Sequence, residues 1–330
     1  RDVLGSRGLG DVYKRQDIIH KAIENHVNFS CEASVGGGIP ILMPLHQSLA
    51  ANQIESIVGI LNGTTNYILS QMTETGVNYA NALADAQKQG FAEADPTNDV
   101  CGFDAARKLA ILSSIGFRAN ITFDDVLVEG IEKIDKSDIQ YAKDMGYTIK
   151  LLTVALRQEN GIALNVYPAF LPDNHPLSSV KGAYNAIYVT GNIVDDVMFY
   201  GRGAGALPTA SAVMGDVIST AQHILNGSTG TGMIMTDTKR IPFYSSLKLQ
   251  NSYYFRLDVD DVTGVLSQIA AAFAENDISI CEVVQKRKTK GLAELVLITE
   301  LASRESILQV EKALQVLPCM RKVANVIRVM

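Results

Sequence analysis

The sequence predicts an α/β (α+β) protein with a mixed-sheet unit followed by a smaller βαββαβ unit of the ferredoxin-like type. Three observations carry this. Apolar strand-like runs at Ile54–Leu61, Tyr147–Leu156, Ile162–Tyr167, Ala186–Thr190 and Ile193–Tyr200 alternate with helical patterns. A small-residue loop at Asn226–Gly232 then breaks the composition. Beyond it the order is strand (Tyr253–Val259), helix (Thr263–Ala274), strand (Ile278–Gln285), strand (Ala293–Thr299), helix (Ser303–Leu314) and strand (Lys322–Val329).

At 330 residues, 47% hydrophobic and 19% charged, the chain is long enough for a sizeable core in more than one domain. A net charge of −6 gives no basic field for nucleic acid or anionic lipid, which favours small-molecule chemistry. Cys31, Cys101, Cys281 and Cys319 form no C-x-x-C and fit thiols in a reducing, cytoplasmic setting. The longest apolar stretch, Leu207–Leu225, is interrupted by Pro208, Asp216 and His223, so no membrane span is expected. His20, His26, His46, His175 and His223 have no metal-like spacing.

Along the chain, Asp17–Asn25 reads as a short helix and Val27–Val35 as a strand entering Gly36-Gly37-Gly38. Ile39-Pro40 then starts a helix, since proline is tolerated in a first turn. The glycines permit close backbone approach to a ligand, and a plain tight turn accounts for them as well. The strand Ile54–Leu61 ends in Asn62-Gly63-Thr64-Thr65-Asn66, where Thr64 or Thr65 is expected to cap a helix. Such a helix start seats a carboxylate naturally. A helix over Tyr79–Gln89 follows, and after it Tyr141–Gly146 reads as helical. Pro208 opens a long apolar helix to about Leu225.

The chain is organised around Ala86–Lys108, which gathers Glu93, Asp95, Asp99 and Asp104 with Lys88, Arg107 and Lys108. Asp95-Pro96 favours extended backbone, and Asn98 or Asp99 is expected to cap the next helix. Asp104 and Lys108, four apart, share a helix face that continues to Leu112. An ordinary charged helix start explains these residues too; ions on a partly apolar stripe otherwise point to a site.

Taken together, three blocks resemble the homoserine dehydrogenase family over Asp17–Met330. They are Ala86…Gly90-Phe91…Asp95-Pro96…Asp99-Val100…Gly102…Asp104…Lys108, Glu32-Ala-Ser-Val-Gly-Gly-Gly-Ile-Pro40 and Gly59-Ile-Leu-Asn-Gly-Thr-Thr-Asn-Tyr67. The C-terminal βαββαβ unit resembles an ACT domain, as in monofunctional members. The resemblance implies interconversion of L-aspartate 4-semialdehyde and L-homoserine with NADP or NAD. It implies Lys108 as proton donor, supported by Asp104 and Asp99, and substrate contacts at Glu93, Asp104, Gly63, Thr64 and Phe91. Gly90, Gly203 and Gly205 would approach the cofactor, and Glu32, Val35, Gly37 and Ile39 would hold a monovalent cation, Na+ or K+. It further implies threonine as effector at the ACT domain and a homodimer or homotetramer built on the sheet.

The expected division is residues 1–16 as a foreign leader, 17–40 as the end of a nucleotide-binding domain, 41–225 as the catalytic and dimerisation domain, 226–250 as a linker and 251–330 as the ACT domain. The family's G-x-G-x-x-G domain and an upstream lysine have no match before Asp17, which predicts weak dinucleotide binding and slow turnover. Two other readings remain: an amino-acid sensor working through the ACT unit, and an oligomerisation module.

Overall fold

The computed structural model describes residues 18–19, 21–229, 240–287 and 291–330; the expected leader, Asp17 and His20 lie outside them. The strands are β1 (Ile54–Ile60), β2 (Leu127–Val128), β3 (Tyr147–Gln158), β4 (Gly161–Pro172), β5 (Tyr184–Gly191), β6 (Asp195–Arg202), β7 (Gln250–Asp260), β8 (Ile280–Arg287), β9 (Leu292–Thr299), β10 (Ala302–Ser303) and β11 (Met320–Val329). They form one 11-stranded sheet in the order β6-β5-β1-β3-β4-β11-β7-β9-β8, with β2 beside β4 and β10 beside β7. Among the described strands only β4 with β11 and β2 with β4 run parallel.

The centre is the β3–β4 hairpin, in register from Tyr147↔Pro172 to Gln158↔Gly161. Its turn is Glu159-Asn160, and Gly161 supplies the φ of +150° that follows. Successive residues point to opposite faces, and both faces are buried. Ile149, Leu151 and Ala155 enter one core; Leu152 and Val154 meet Tyr167, Ala169 and Leu171 in another. This double burial is why the strand reads as an unbroken apolar run.

The first core is covered by helices α1 (Gly63–Thr75), α2 (Tyr79–Lys88), α3 (Thr97–Val100), α4 (Phe103–Gly116) and α5 (Lys136–Asp144), with Ile68, Leu69, Met72, Leu109, Leu112 and Ile139 pointing inward. Helix α6 (Ala206–Leu225) carries Pro208 in its first turn and has no buried residue. Its apolar character does not translate into burial here: Leu207, Met214, Ile218 and Leu225 are exposed. A third core lies between β7, β9 and the helices α7 (Val265–Ala274) and α8 (Arg304–Gln315). The C-terminal order is the expected βαββαβ, with α7 starting after Gly264 at φ +88° rather than at Thr263. Within the span read as a linker, Pro242 O accepts from Ile162 N at 3.0 Å and Tyr244 N donates to Ile162 O at 2.9 Å, so 242–244 lies along the start of β4.

The expected strand Val27–Val35 is absent. The segment ends instead in a 3-10 turn, Glu32–Ser34. The buried Glu32 carboxylate accepts from the N–H groups of Ile41 (2.5 Å), Leu42 (2.8 Å) and Met43 (2.8 Å), folding the chain back on itself. The helix expected at Ile39-Pro40 therefore starts at Leu42, where that carboxylate faces its first N–H groups, and continues as a π-turn, Pro44–Ser48.

The two units are joined where β11 pairs with β4, Arg328↔Ala169 and Val329↔Phe170. Buried charges reinforce the seam. Asp138 of α5, 0% exposed, accepts from Arg256 Nε (2.7 Å), Arg256 Nη2 (3.2 Å), Tyr254 OH (3.1 Å) and Asn325 Nδ2 (2.8 Å). It also completes the α5 capping box by accepting from Asp135 N at 2.9 Å. Arg328 grips Glu129 through two bonds of 2.9 Å and lies 4.1 Å above the Tyr167 ring.

Removing one partner of such a buried pair leaves the other uncompensated. Asp138→Ala should cost about 3–5 kcal/mol of stability in urea unfolding, since it leaves Arg256 only its longer contacts to Glu294 (3.4 Å) and Asp135 (3.9 Å) and takes the acceptor from three further donors.

Candidate active site

The site begins where β1 meets α1. The helix is capped by Asn62, at φ −122°, and not by Thr64 or Thr65. Asn62 Oδ1 accepts from Thr65 N at 2.8 Å. Its Nδ2 donates to Asp99 Oδ1 at 2.7 Å and to Asp104 Oδ2 at 2.9 Å. Asp104 Oδ2 also receives Lys108 Nζ at 2.7 Å, the ion pair anticipated from their spacing. Lys108 Nζ makes a second bond, 3.0 Å, to the Leu61 carbonyl at the end of β1.

The capping expected of Asn98 or Asp99 does not occur. The chain makes the short helix α3, turns at Gly102 (φ +83°), and starts α4 with no side-chain cap. Asp99 is engaged elsewhere, on Asn62, while Asp95 accepts from Thr97 N (3.1 Å) and Thr97 Oγ1 (2.6 Å) at the start of α3. Those two bonds hold the Asp95 carboxyl below its ordinary range. Asp99 moves the other way: burial raises it, as does the charge of Asp104, against the opposing Asn62 bond and Lys108.

Around this cluster, Thr64 Oγ1 donates to the Phe91 carbonyl at 2.5 Å, and the Phe91 ring meets Tyr67 at 4.6 Å. Tyr67 OH in turn donates to Asp85 at 2.6 Å, which fixes α1 against α2. Gly63 abuts the loop before β5; a Cβ there would lie 3.0 Å from the Ala183 carbonyl. Gly90 has φ +77° and nothing within 4 Å of a Cβ position. The Glu93 side chain is exposed and is not bonded into the Asp99–Asp104–Lys108 cluster; only its carbonyl is held, by Gln87 Nε2 at 3.1 Å. The 203–205 loop leaves β6 just after Arg202, which pairs with Tyr184 beside the Gly63 wall. It packs on the other glycine turn so closely that a Cβ on Gly37 would lie 2.4 Å from Gly203 O.

Val35, Gly37 and Ile39 present backbone carbonyls that accept no backbone hydrogen bond among the described residues. Among the same residues no three His, Cys, Asp or Glu side chains gather as a metal group. The sequence reading missed Asn62, which ties cap, carboxylates and lysine together. The signal was its position, directly after a strand and before Gly-Thr-Thr, where asparagine is a preferred N-cap.

Residues 40–218 match the family model described as homoserine dehydrogenase, and residues 253–319 match the ACT domain model. A homoserine dehydrogenase of Mycobacterium tuberculosis is 42% identical over 322 residues, covering 94% of this chain and 73% of that relative. The crystal structure of a homoserine dehydrogenase from Thiobacillus denitrificans superposes with a TM-score of 0.91 at 35% identity, covering 97% of this chain and 74% of that one. A hyperthermophilic archaeal homoserine dehydrogenase in complex with NADPH aligns with a TM-score of 0.55 at 27% identity, covering 64% of this chain and 61% of that one. Fold and matches together define an oxidoreductase of amino-acid metabolism with an ACT unit at its C-terminal end. The chain belongs to the homoserine dehydrogenase family and spans about three quarters of the length of the first two relatives named. The readings as a sensor or oligomerisation module alone are not favoured by these matches. Among the described residues no helix is long and apolar enough to cross a membrane.

A carboxyl raised by folding keeps its proton more tightly folded than unfolded, so its ionisation subtracts stability as pH rises above the ordinary 3.8. Asp99→Asn should therefore gain thermal stability relative to the parent as pH is taken from about 4 to 7. Melting curves of both proteins across that range check the sign.

Proposed function

We propose that the Asn62–Asp99–Asp104–Lys108 cluster is the substrate site for reversible reduction of L-aspartate 4-semialdehyde to L-homoserine. The observation that carries this reading is one lysine paired to a carboxylate at 2.7 Å beside a helix start able to take a carboxylate. Lys108 donates the proton that the carbonyl oxygen needs as it becomes an alkoxide, and its charge stabilises that oxygen beforehand. Its bonds to the Leu61 carbonyl and to Asp104 aim the ammonium. Asp104 and Glu93 receive the substrate α-ammonium, and Asp99 supports Asp104 through the shared Asn62 amide. The Gly63 and Thr64 N–H groups open α1 without intrahelical acceptors and receive the substrate carboxylate, with Phe91 beside them.

A nicotinamide cofactor, NADP or NAD, supplies or takes up the hydride when bound. The archaeal relative solved with NADPH supports that choice. Gly90 leaves open space on its Cα side for such a group, whereas the Cβ positions of Gly203 and Gly205 face Asn185 and Pro208, so any approach of the cofactor to that loop is to its backbone. The donor set of Glu32, Val35, Gly37 and Ile39 suits a hard monovalent cation, Na+ or K+, through backbone oxygens, since the Glu32 carboxylate is taken by three N–H groups. We assign the ACT domain an amino-acid effector, threonine being the expected one, and the assembly to a homodimer or homotetramer. We assign the enzyme to the cytoplasm, with which Cys31, Cys101, Cys281 and Cys319, none of them in a disulfide, agree.

Lys108→Ala in the intact enzyme should lower kcat for aspartate semialdehyde reduction by roughly 10²–10⁴ with a much smaller change in substrate KM. The fall in near-ultraviolet absorbance as dihydronicotinamide NADPH is oxidised reads this directly, and an unchanged kcat removes Lys108 from proton transfer.

A further inference from the structure

Lys150 lies in the first half of β3, between the core residues Ile149 and Leu151, and is 2% exposed. A lysine buried so deeply is costly unless its ammonium is hydrogen-bonded. Its bonds go to neutral oxygens, Asn66 Oδ1 at 3.0 Å and the Val180 carbonyl. Burial pulls its pKa down to about 8, and the charge of Lys181 adds to the shift. Asn66, itself buried, directs its amide at three carbonyls of one loop: Val180 (3.1 Å), Gly182 (2.9 Å) and Tyr184 (3.1 Å). Gly182 N completes the attachment by donating to Ser70 Oγ of α1 at 3.0 Å.

This pair stands between two parts of the site. Asn66 lies one turn along α1 from Asn62, whose amide holds Asp99 and Asp104. The loop that Asn66 gathers is also the wall facing Gly63, through the Ala183 carbonyl. It ends at Tyr184, which opens β5 opposite Arg202, the residue before Gly203. We propose that Lys150 and Asn66 are positioning residues for the substrate carboxylate: by fixing the 180–184 loop against the first turn of α1, they set the gap at the Gly63 and Thr64 amides. A hydrophobic side chain of the same length would fill β3 without desolvating a charge, so the ammonium is explained by what it orients. This rests on the reading of the Gly63–Thr64 turn as the carboxylate site.

Lys150→Met in the intact enzyme keeps the length and apolar packing and removes the ammonium. Its thermal stability should fall modestly, because the buried Asn66 Oδ1 loses its donor, its KM for aspartate semialdehyde should be about tenfold higher, and its kcat and cofactor KM should stay within roughly twofold of the parent. A folded Lys150→Met protein with parental substrate KM overturns the proposal. If that variant does not fold, Asn66→Ser decides the matter by the same KM comparison. In the double variant the KM effect should not exceed that of the more affected single variant; additive effects overturn the idea that the two side chains act as one unit. Gly63→Ala adds a Cβ at the carboxylate turn itself and separates the two levels. A raised substrate KM there with parental KM in Lys150→Met defeats only the positioning role, whereas parental KM in Gly63→Ala defeats the carboxylate site on which it rests.

Discussion

The geometry of the site depends on one carboxamide. Asn62 uses its oxygen to close the first turn of α1 and the two hydrogens of its nitrogen to reach two different carboxylates. Asp99 and Asp104 come from separate helices, and their charges repel; a neutral double donor between them lets both approach one lysine. No acidic or hydroxyl residue at position 62 can do this, because neither offers two donors and an acceptor on one planar group. The end of β1 contributes as well, since the Leu61 carbonyl takes a Lys108 hydrogen. Strand, cap, two acids and lysine thus form a single network in which moving one member moves the rest.

The two glycine-rich segments meet with their backbones in close contact. The Gly36–Gly38 turn and the 203–205 loop press together where no side chain fits, and Gly38 N donates to the Arg202 carbonyl at 3.1 Å. Glu32 underlies that contact, since its three accepted N–H bonds fold the turn into place. Its own N–H reaches Asp216 Oδ2 of α6 at 3.0 Å. A buried carboxylate with three donors is stable without a counter-cation, which frees the neighbouring carbonyls for other partners.

Much of the fold was legible because its signals are local. The β3–β4 hairpin announces itself as apolar runs around Glu-Asn-Gly, and the C-terminal βαββαβ order follows from runs and turns. The Asp104–Lys108 pair was legible from a spacing of four. What was not legible depends on partners distant in the chain. Val27–Val35 has strand-like residues, yet Glu32 overrides the preference through N–H groups some ten residues on. Asn62, Thr64 and Thr65 are all capping residue types, and only the backbone angle at Asn62 decides among them. The charged seam joins Asp138 to Arg256 and Asn325, separations that no periodicity reveals.

The parallel contact of β11 with β4 joins the strands of both units, and the three hydrophobic cores on them, into one hydrogen-bonded sheet. Melting either half alone would expose the edge of β4 or β11 and break the two Glu129–Arg328 bonds. The stability of each half is therefore coupled to that of the other. Any ligand that binds the native C-terminal half raises the free energy of unfolding for the whole sheet, and the enzyme half is protected along with it. A molecule held far from the reacting carbon can in this way govern how long the enzyme survives, independently of how fast it works.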